Sequence, residues 1–229
     1  MIGSPSYDAV LFDLDGVLTP TASLHAACWK RVLDEVLAVH GGEPFDEGAD
    51  YLRHVDGRSR DDGARAFLRS RGIDLPEDEV AAIGDRKQAL VEDALAHDGV
   101  EAFPGSVRLV RHLRGSGTRT AVVSSSANAR AVLRAAGIDG LFDAIVDGRD
   151  IAALGLRGKP AADPFLEAAR RLEALPSRAV VVEDARSGVA AGRAGGFGVV
   201  IGVARNGEAA ALADAGAHLV VADLSELVP

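Results

Sequence analysis

Asp13 and Asp15 stand one residue apart in Val10-Leu11-Phe12-Asp13-Leu14-Asp15-Gly16, where an apolar run gives way to a glycine. The run reads as a buried strand and the glycine as the turn that ends it, which puts both acids at the strand's carboxyl end. Two neighbouring negative charges repel and are costly to desolvate, so they persist together when a cation or a shared chemical task stabilises them. Mg2+, a hard ion that takes oxygen ligands, suits such a pair. For a bare Asp-x-Asp the plainer reading is a solvated strand end; residues further along decide against it.

Three more groups with reactive side chains occupy comparable places. Ser124, Ser125 and Ser126 follow the valine-containing run 120–123, and Glu183 and Asp184 follow the run 179–182. Lys159, in Gly158-Lys159-Pro160, precedes a helical pattern that begins near Asp163. Parallel α/β sheets bind ligands outside the carboxyl ends of their strands, so all of these are expected to converge on Asp13 and Asp15. Carboxylates, a hydroxyl and one ammonium around a strand-end crevice are the parts of magnesium-assisted phosphoryl transfer, where positioning and charge stabilisation supply most of the catalysis.

The elements needed to hold them there are legible in the periodicity. Short apolar runs at 9–12, 120–123, 144–146, 179–182, 199–203 and 218–221 read as strands buried on both faces. Helical patterns at 106–114, 128–136, 163–173, 188–194 and 208–215 alternate with them. The expected fold is therefore α/β, a Rossmann-like parallel sheet wound on both sides. The stretch 21–99 breaks the rhythm, with no valine-rich run and three amphipathic helical patterns near 22–39, 60–71 and 76–96. It reads as an inserted helical cap domain, residues 21–99, in an α/β core made of 1–20 and 100–229. Its two linkers flank the acids, an arrangement suited to opening and closing.

Composition bounds the partners. The chain has 229 residues, 48% hydrophobic and 26% charged, with a net charge of -9 and no basic block. Those figures argue against nucleic acid or an anionic membrane and for a small substrate whose charge is met by a few local cations. Cys28 is the single cysteine, so no internal disulfide and no thiolate metal site forms within one chain. No signal pattern and no bilayer-length apolar stretch is found, so a cytoplasmic location is expected; the oligomeric state is left open, a monomer being compatible with the pattern.

Four separated motifs in this order resemble the haloacid dehalogenase superfamily of phosphotransferases across the whole chain. Within it, the likeness is to the β-phosphoglucomutases and related sugar-phosphate phosphatases. It is carried by Asp13 to Leu18 with Thr21, His25 and Trp29, by Gly57-Arg58-Ser59-Arg60, and by Val182 to Gly188. The resemblance implies that Asp13 is the nucleophile that forms an aspartyl-phosphate. It makes Asp15 the general acid and base, expected to have a raised pKa beside its anionic neighbours. Glu183 and Asp184 would complete a Mg2+ shell with Asp13 and the Asp15 carbonyl. Ser124 would hold a phosphate oxygen, beside backbone N–H groups of the turn through Ser125, and Lys159 would neutralise phosphate and nucleophile. Arg60 would contact a substrate phosphate from the cap, His25 would couple closure to proton transfer, and Trp29 is assigned to the cap core.

The same resemblance separates two outcomes. Ser126 and Asn128 would hold a second phosphate as in the mutase, but Ala127 stands where the mutase has a lysine, and Pro20 replaces an acid. Interconversion of β-glucose 1-phosphate and glucose 6-phosphate is therefore weighed against hydrolysis of a sugar phosphate. A non-catalytic phosphosugar-binding module is disfavoured because every reactive position is filled. A dehalogenase is disfavoured because it has no use for Asp15 or a metal.

Overall fold

The computed structural model describes residues 7–205 and 207–229; residues 1–6 of the expected core segment lie outside the described residues. Parallel strands β1 (Ala9–Phe12), β2 (Arg119–Val123), β3 (Ala144–Val146), β4 (Ala179–Glu183), β5 (Val199–Val203) and β6 (Leu219–Val221) form one sheet in the order β3-β2-β1-β4-β5-β6. Leu11 of β1 is in register with Ala121 on one side and Val181 on the other. The order reverses direction at β1, and that switch point is where doubly wound sheets bind ligands.

Alternation along the strands explains why both faces are covered. Val10, Phe12, Val122, Val180 and Val182 point into a cluster with Leu109, Val110 and Leu113 of α4 (Pro104–Gly115) and Val132 and Leu133 of α5 (Ala129–Ala135). Leu11, Ala121, Val123 and Val181 point the other way, onto Phe165 of α7 (Asp163–Arg171) and Val189 of α8 (Arg186–Ala194). Strands buried on both faces need apolar residues at every position, which is the continuous pattern of the sequence.

The interval between β1 and α4 is helical, as expected. Helices α1 (Thr21–His40), α2 (Arg60–Ser70) and α3 (Glu77–Asp98) pack around Trp29, Leu33, Phe45, Phe67, Val80 and Ile83. Phe45 and Phe67 meet edge to face at 5.1 Å. The two connections to the sheet are joined by the Phe103 N–H, which donates to the Leu18 carbonyl at 2.8 Å. A π-helical turn at Tyr51–Val55 and helix α6 (Gly148–Ala153), which has a capping box between Asp147 and Asp150, are additions to the expected elements. Among the described residues, no helix is long and apolar enough to cross a membrane.

Candidate active site

The turns after β1, β2 and β4 and the Lys159 loop meet at the switch point. Asp13 leaves β1 with its N–H donating to the Val182 carbonyl at 2.9 Å, which fixes the start of the turn. The Lys159 side chain is wholly buried, and its ammonium donates to Asp13 Oδ1 at 2.5 Å, Glu183 Oε1 at 2.6 Å and the Val123 carbonyl at 3.0 Å. An ammonium is tolerated without water only if its protons find acceptors, and here three acceptors meet three protons. Burial by itself would lower the Lys159 pKa; Asp13 and Glu183 outweigh it and hold the group charged.

Glu183 uses its second oxygen to accept the Ala185 N–H at 2.9 Å, at the residue before α8. Asp184 does not cap that helix. Oxygens of Asp13, Glu183 and Asp184 all lie within 4.8 Å of one another. Burial pushes the Asp184 carboxyl well up, and Asp56, Asp13, Glu183 and Asp15 add to the push. Burial, with Glu183 and Asp15, likewise raises Asp13 against the pull of Lys159. Crowded hard oxygens with more negative charge than one lysine balances fit a divalent cation.

Asp15 lies in different surroundings. Its Oδ1 accepts from the Thr21 hydroxyl in a short hydrogen bond and from His25 Nε2 at 3.1 Å, both on the start of α1. Its Oδ2 accepts from the Ser124 hydroxyl at 3.4 Å. His25 Nδ1 accepts from the Lys87 ammonium at 2.6 Å, which leaves the ring's proton on Nε2, facing Asp15. Burial would raise Asp15, but His25, Thr21 and Lys87 bring it down to about 2. The expected raised pKa is corrected: donors from the cap side outweigh the anionic neighbours. Burial lowers Lys87 to about 8, and burial together with Lys87 lowers His25 against the pull of Asp15.

The serine turn is built by its own hydroxyls. Ser124 Oγ accepts the Ser126 N–H at 3.0 Å, and Ser126 Oγ accepts the Asn128 N–H at 3.1 Å. Ser125 Oγ donates to the Gly57 carbonyl at 2.8 Å, and Ser187 Oγ donates to the Asp56 carbonyl at 3.0 Å, so the loop before α2 is tied to the core twice. Gly57 has a φ of 69° and lies against Ala185 and Ser187, a close approach only glycine allows.

A cavity of about 50 Å3 lies between sheet and cap. Asp13, Asp15, His25, Ser125, Ser126, Asp184 and Arg60 line it, while Ser124, Lys159 and Glu183 stand behind Asp13 and Asp15. Asn128 is not part of the lining: it is 2% exposed and accepts from the Gln88 side chain of α3, so the expected phosphate contact is replaced by a contact between core and cap. Trp29 is 4% exposed and belongs to the cap core, as expected.

Several site residues were not foreseen. Thr21 entered only as part of a motif, although it donates to Asp15. Gln88 and Asp56 line the cavity without having been singled out, while Arg58 and Lys87 entered only within Gly57-Arg58-Ser59-Arg60 and within Asp85-Arg86-Lys87, a partial match to the mutase's lysine-rich run. For Lys87 the signal exists: it continues the buried register of Val80, Ile83 and Val91 on α3, where a solvated lysine does not belong. For Asp56, whose carboxyl is raised to about 7 by burial and then by Glu183, no pattern marks it in the sequence.

A carboxylate pair, a buried lysine and an acidic triad at a sheet's switch point define an enzyme of phosphoryl transfer. The chain belongs to the haloacid dehalogenase-like hydrolase family, whose description matches residues 7–196. It is 47% identical over 238 residues to the β-phosphoglucomutase of Mycobacterium bovis, covering 96% of this chain and 91% of that one. The structure of β-phosphoglucomutase from Clostridium difficile superposes with a TM-score of 0.80 at 26% identity, over 96% of this chain and 93% of the other. A CbbY variant from Rhodobacter sphaeroides in complex with xylulose-(1,5)bisphosphate gives 0.76 at 26% identity, over 97% and 96%.

Proposed function

We propose that this protein is a phosphosugar mutase that interconverts β-glucose 1-phosphate and glucose 6-phosphate through an aspartyl-phosphate on Asp13, with residues 21–99 acting as its cap. The relatives' names support the substrate, and one observation carries the mutase reading. The acid–base group Asp15 is held by His25, and His25 is held by Lys87 from α3. Acid–base chemistry is thereby tied to the position of the cap, as an enzyme needs that passes a phosphoryl group to a sugar and not to water.

In the first half-reaction an Asp13 oxygen bonds to phosphorus, the bond from phosphorus to the sugar oxygen breaks, and Asp15 gives that oxygen its proton. Release from Thr21 and His25 removes the donors that hold Asp15 low, and so lets it carry the proton. In the second, another hydroxyl of the sugar bonds to the same phosphorus, the Asp13–phosphorus bond breaks, and the hydroxyl proton returns to Asp15. Lys159 and the Ser124 turn keep the nucleophile and the transferred group in place. Mg2+, bound by Asp13, Asp184, Glu183 and the Asp15 carbonyl, would screen the charge of the phosphoryl group.

Hydrolysis of sugar phosphates is the second reading, favoured by Ala127 and by the withdrawal of Asn128 from the cavity. A coupled assay primed with glucose 1,6-bisphosphate separates the two. Isomerisation faster than phosphate release, stopped by EDTA, is the expected result; phosphate release from many sugar phosphates without isomerisation would make the enzyme a phosphatase.

A further inference from the structure

An arginine that belongs to neither connection between sheet and cap touches both of them. Arg205, in the loop after β5, donates from Nε to the Gly16 carbonyl at 3.2 Å and from Nη2 to the Ser106 hydroxyl at 3.1 Å, while Nη1 pairs with Asp223. Its guanidinium also lies over the Phe103 ring, 3.8 Å from the centroid. Gly16 follows Asp15 on the outgoing connection, and Phe103 and Ser106 stand where the returning one becomes α4. The buried Ser106 hydroxyl in turn donates to the Val17 carbonyl at 2.7 Å, which joins the two connections a second time, beside the Phe103 to Leu18 hydrogen bond. A planar guanidinium presents its donors in a rigid fork, so one side chain can hold several segments in a fixed relation.

The surroundings leave this brace little freedom. Asp223 caps the short turn Leu224–Leu227, its Oδ1 accepting the Ser225 N–H at 2.8 Å, and a Cβ on Gly105 would fall on the same carboxylate. Gly16 has a φ of 84° and lies so close to Asp184 that a Cβ there would meet the Asp184 carboxylate. Holding the Gly16 carbonyl therefore seats the turn that carries Asp15 against the acids of the site. Cap movements bend a few connecting residues, and a clamp across both connections moves the bend beyond it. On the returning side that leaves 99–102, where Gly99 has a φ of 68° and open space about it. A cavity of about 640 Å3, lined by Ala22, Tyr51 and Leu52 of the cap and by Phe103 and Arg205 of the core, adjoins the brace on its cap side.

We infer that Arg205 is a positioning residue: by bracing both connections at one point it sets the axis about which the cap closes and keeps the Asp15 turn in register with Asp13 and Asp184. It acts through Gly16, Phe103 and Ser106 and not by contact with the substrate. A cap that closes in register keeps water from an aspartyl-phosphate, and one on a loosened hinge admits it. The inference rests on residues 21–99 acting as a cap, and its kinetic part on the mutase reading.

Amide hydrogen exchange and kinetics of the whole chain test it. In Arg205→Ala, amides of residues 14–20 and 99–106 should exchange about fivefold faster or more, while those of β1, β2 and β4 keep their protection. The ratio of phosphate release to isomerisation should rise by about fivefold or more, whereas a plain loss of stability lowers both rates together. Arg205→Lys keeps the charge opposite Asp223 but not the fork, so both effects should be smaller and of the same sign; if the alanine variant fails to fold, the lysine variant carries the test, with rises of about twofold or more expected. Unchanged exchange in the two connections, or faster exchange spread evenly over the sheet, would overturn the brace. Faster exchange in the connections with an unchanged ratio would overturn its part in closure. A parent that releases phosphate without isomerising would remove the mutase reading alone, and the exchange result would still decide whether Arg205 braces the cap.

Discussion

Lys159 and Asp15 show how strongly environment decides what a side chain can do. Both are embedded in the protein, but Lys159 meets two carboxylates and stays charged, whereas Asp15 meets three donors and is held at about 2. The second result depends on Lys87, which keeps the His25 proton on the face toward Asp15. Lys87→Ala is expected to lower kcat for isomerisation by roughly 10 to 100-fold, part of the range that aligned acid–base groups supply. An unchanged kcat would mean that His25 needs no partner in the cap. At this scale the acids, serines and Lys159 were legible because each follows a strand or opens a helix in the sequence. Lys87 and Arg58 were less so, because a lysine within a charged helix and an arginine in a polar turn look solvated until the fold buries them.

At the scale of elements, the start of α8 is fitted to the charge network. Gly188 lies beneath Glu183, and a Cβ there would fall on the Glu183 carboxyl group. Since Glu183 orients Lys159, Gly188→Ala should displace both. The expected outcome is a fall in kcat/KM of about 10²-fold or more, the scale seen when a positioning group shifts by about an ångström. Steady-state kinetics check it, and full activity would show that Glu183 has room to move. Strand positions were legible to within a residue or two, since each strand is apolar on both faces. Helix α6 and the turn Tyr51–Val55 were not, because six and five residues are too few to display a period; α6 depends instead on its capping box.

At the scale of the whole molecule, the cavity of about 50 Å3 is far smaller than the several hundred Å3 usual for ligand sites, which fits a helical segment folded down onto the sheet. It is held down by Thr21 and His25 on the Asp15 carboxylate and by three neutral hydrogen bonds, Ser125 to Gly57, Ser187 to Asp56, and Gln88 to Asn128, the neutral ones worth about 1 kcal/mol each. The core is tied more firmly. Asp150 of α6 bridges Arg171 of α7 at 3.0 Å and Arg130 of α5 at 2.9 Å; burial pushes its carboxyl up, but these partners bring it to about 2, against an ordinary 3.8. A carboxyl with a lowered pKa contributes stability that is complete above its unfolded value and lost as pH falls through the folded one. Thermal stability should therefore decline between about pH 4 and pH 2, and Asp150→Asn should lower Tm at pH 7 with the difference closing toward pH 2. Equal Tm loss at both pH values would contradict the assignment. The division into sheet and helical insertion was visible as a change of rhythm; the closed state of the cap was not, since it depends on contacts between residues distant in sequence.

The central claim is that Asp13 itself accepts the phosphoryl group. Mixing the enzyme with glucose 1,6-bisphosphate and Mg2+, quenching in acid and locating the modification by peptide mass spectrometry tests it directly. The account predicts one added phosphoryl group on the peptide containing Asp13, absent in Asp13→Asn. Turnover that proceeds in Asp13→Asn, or a phosphoryl group found on another residue, would contradict it.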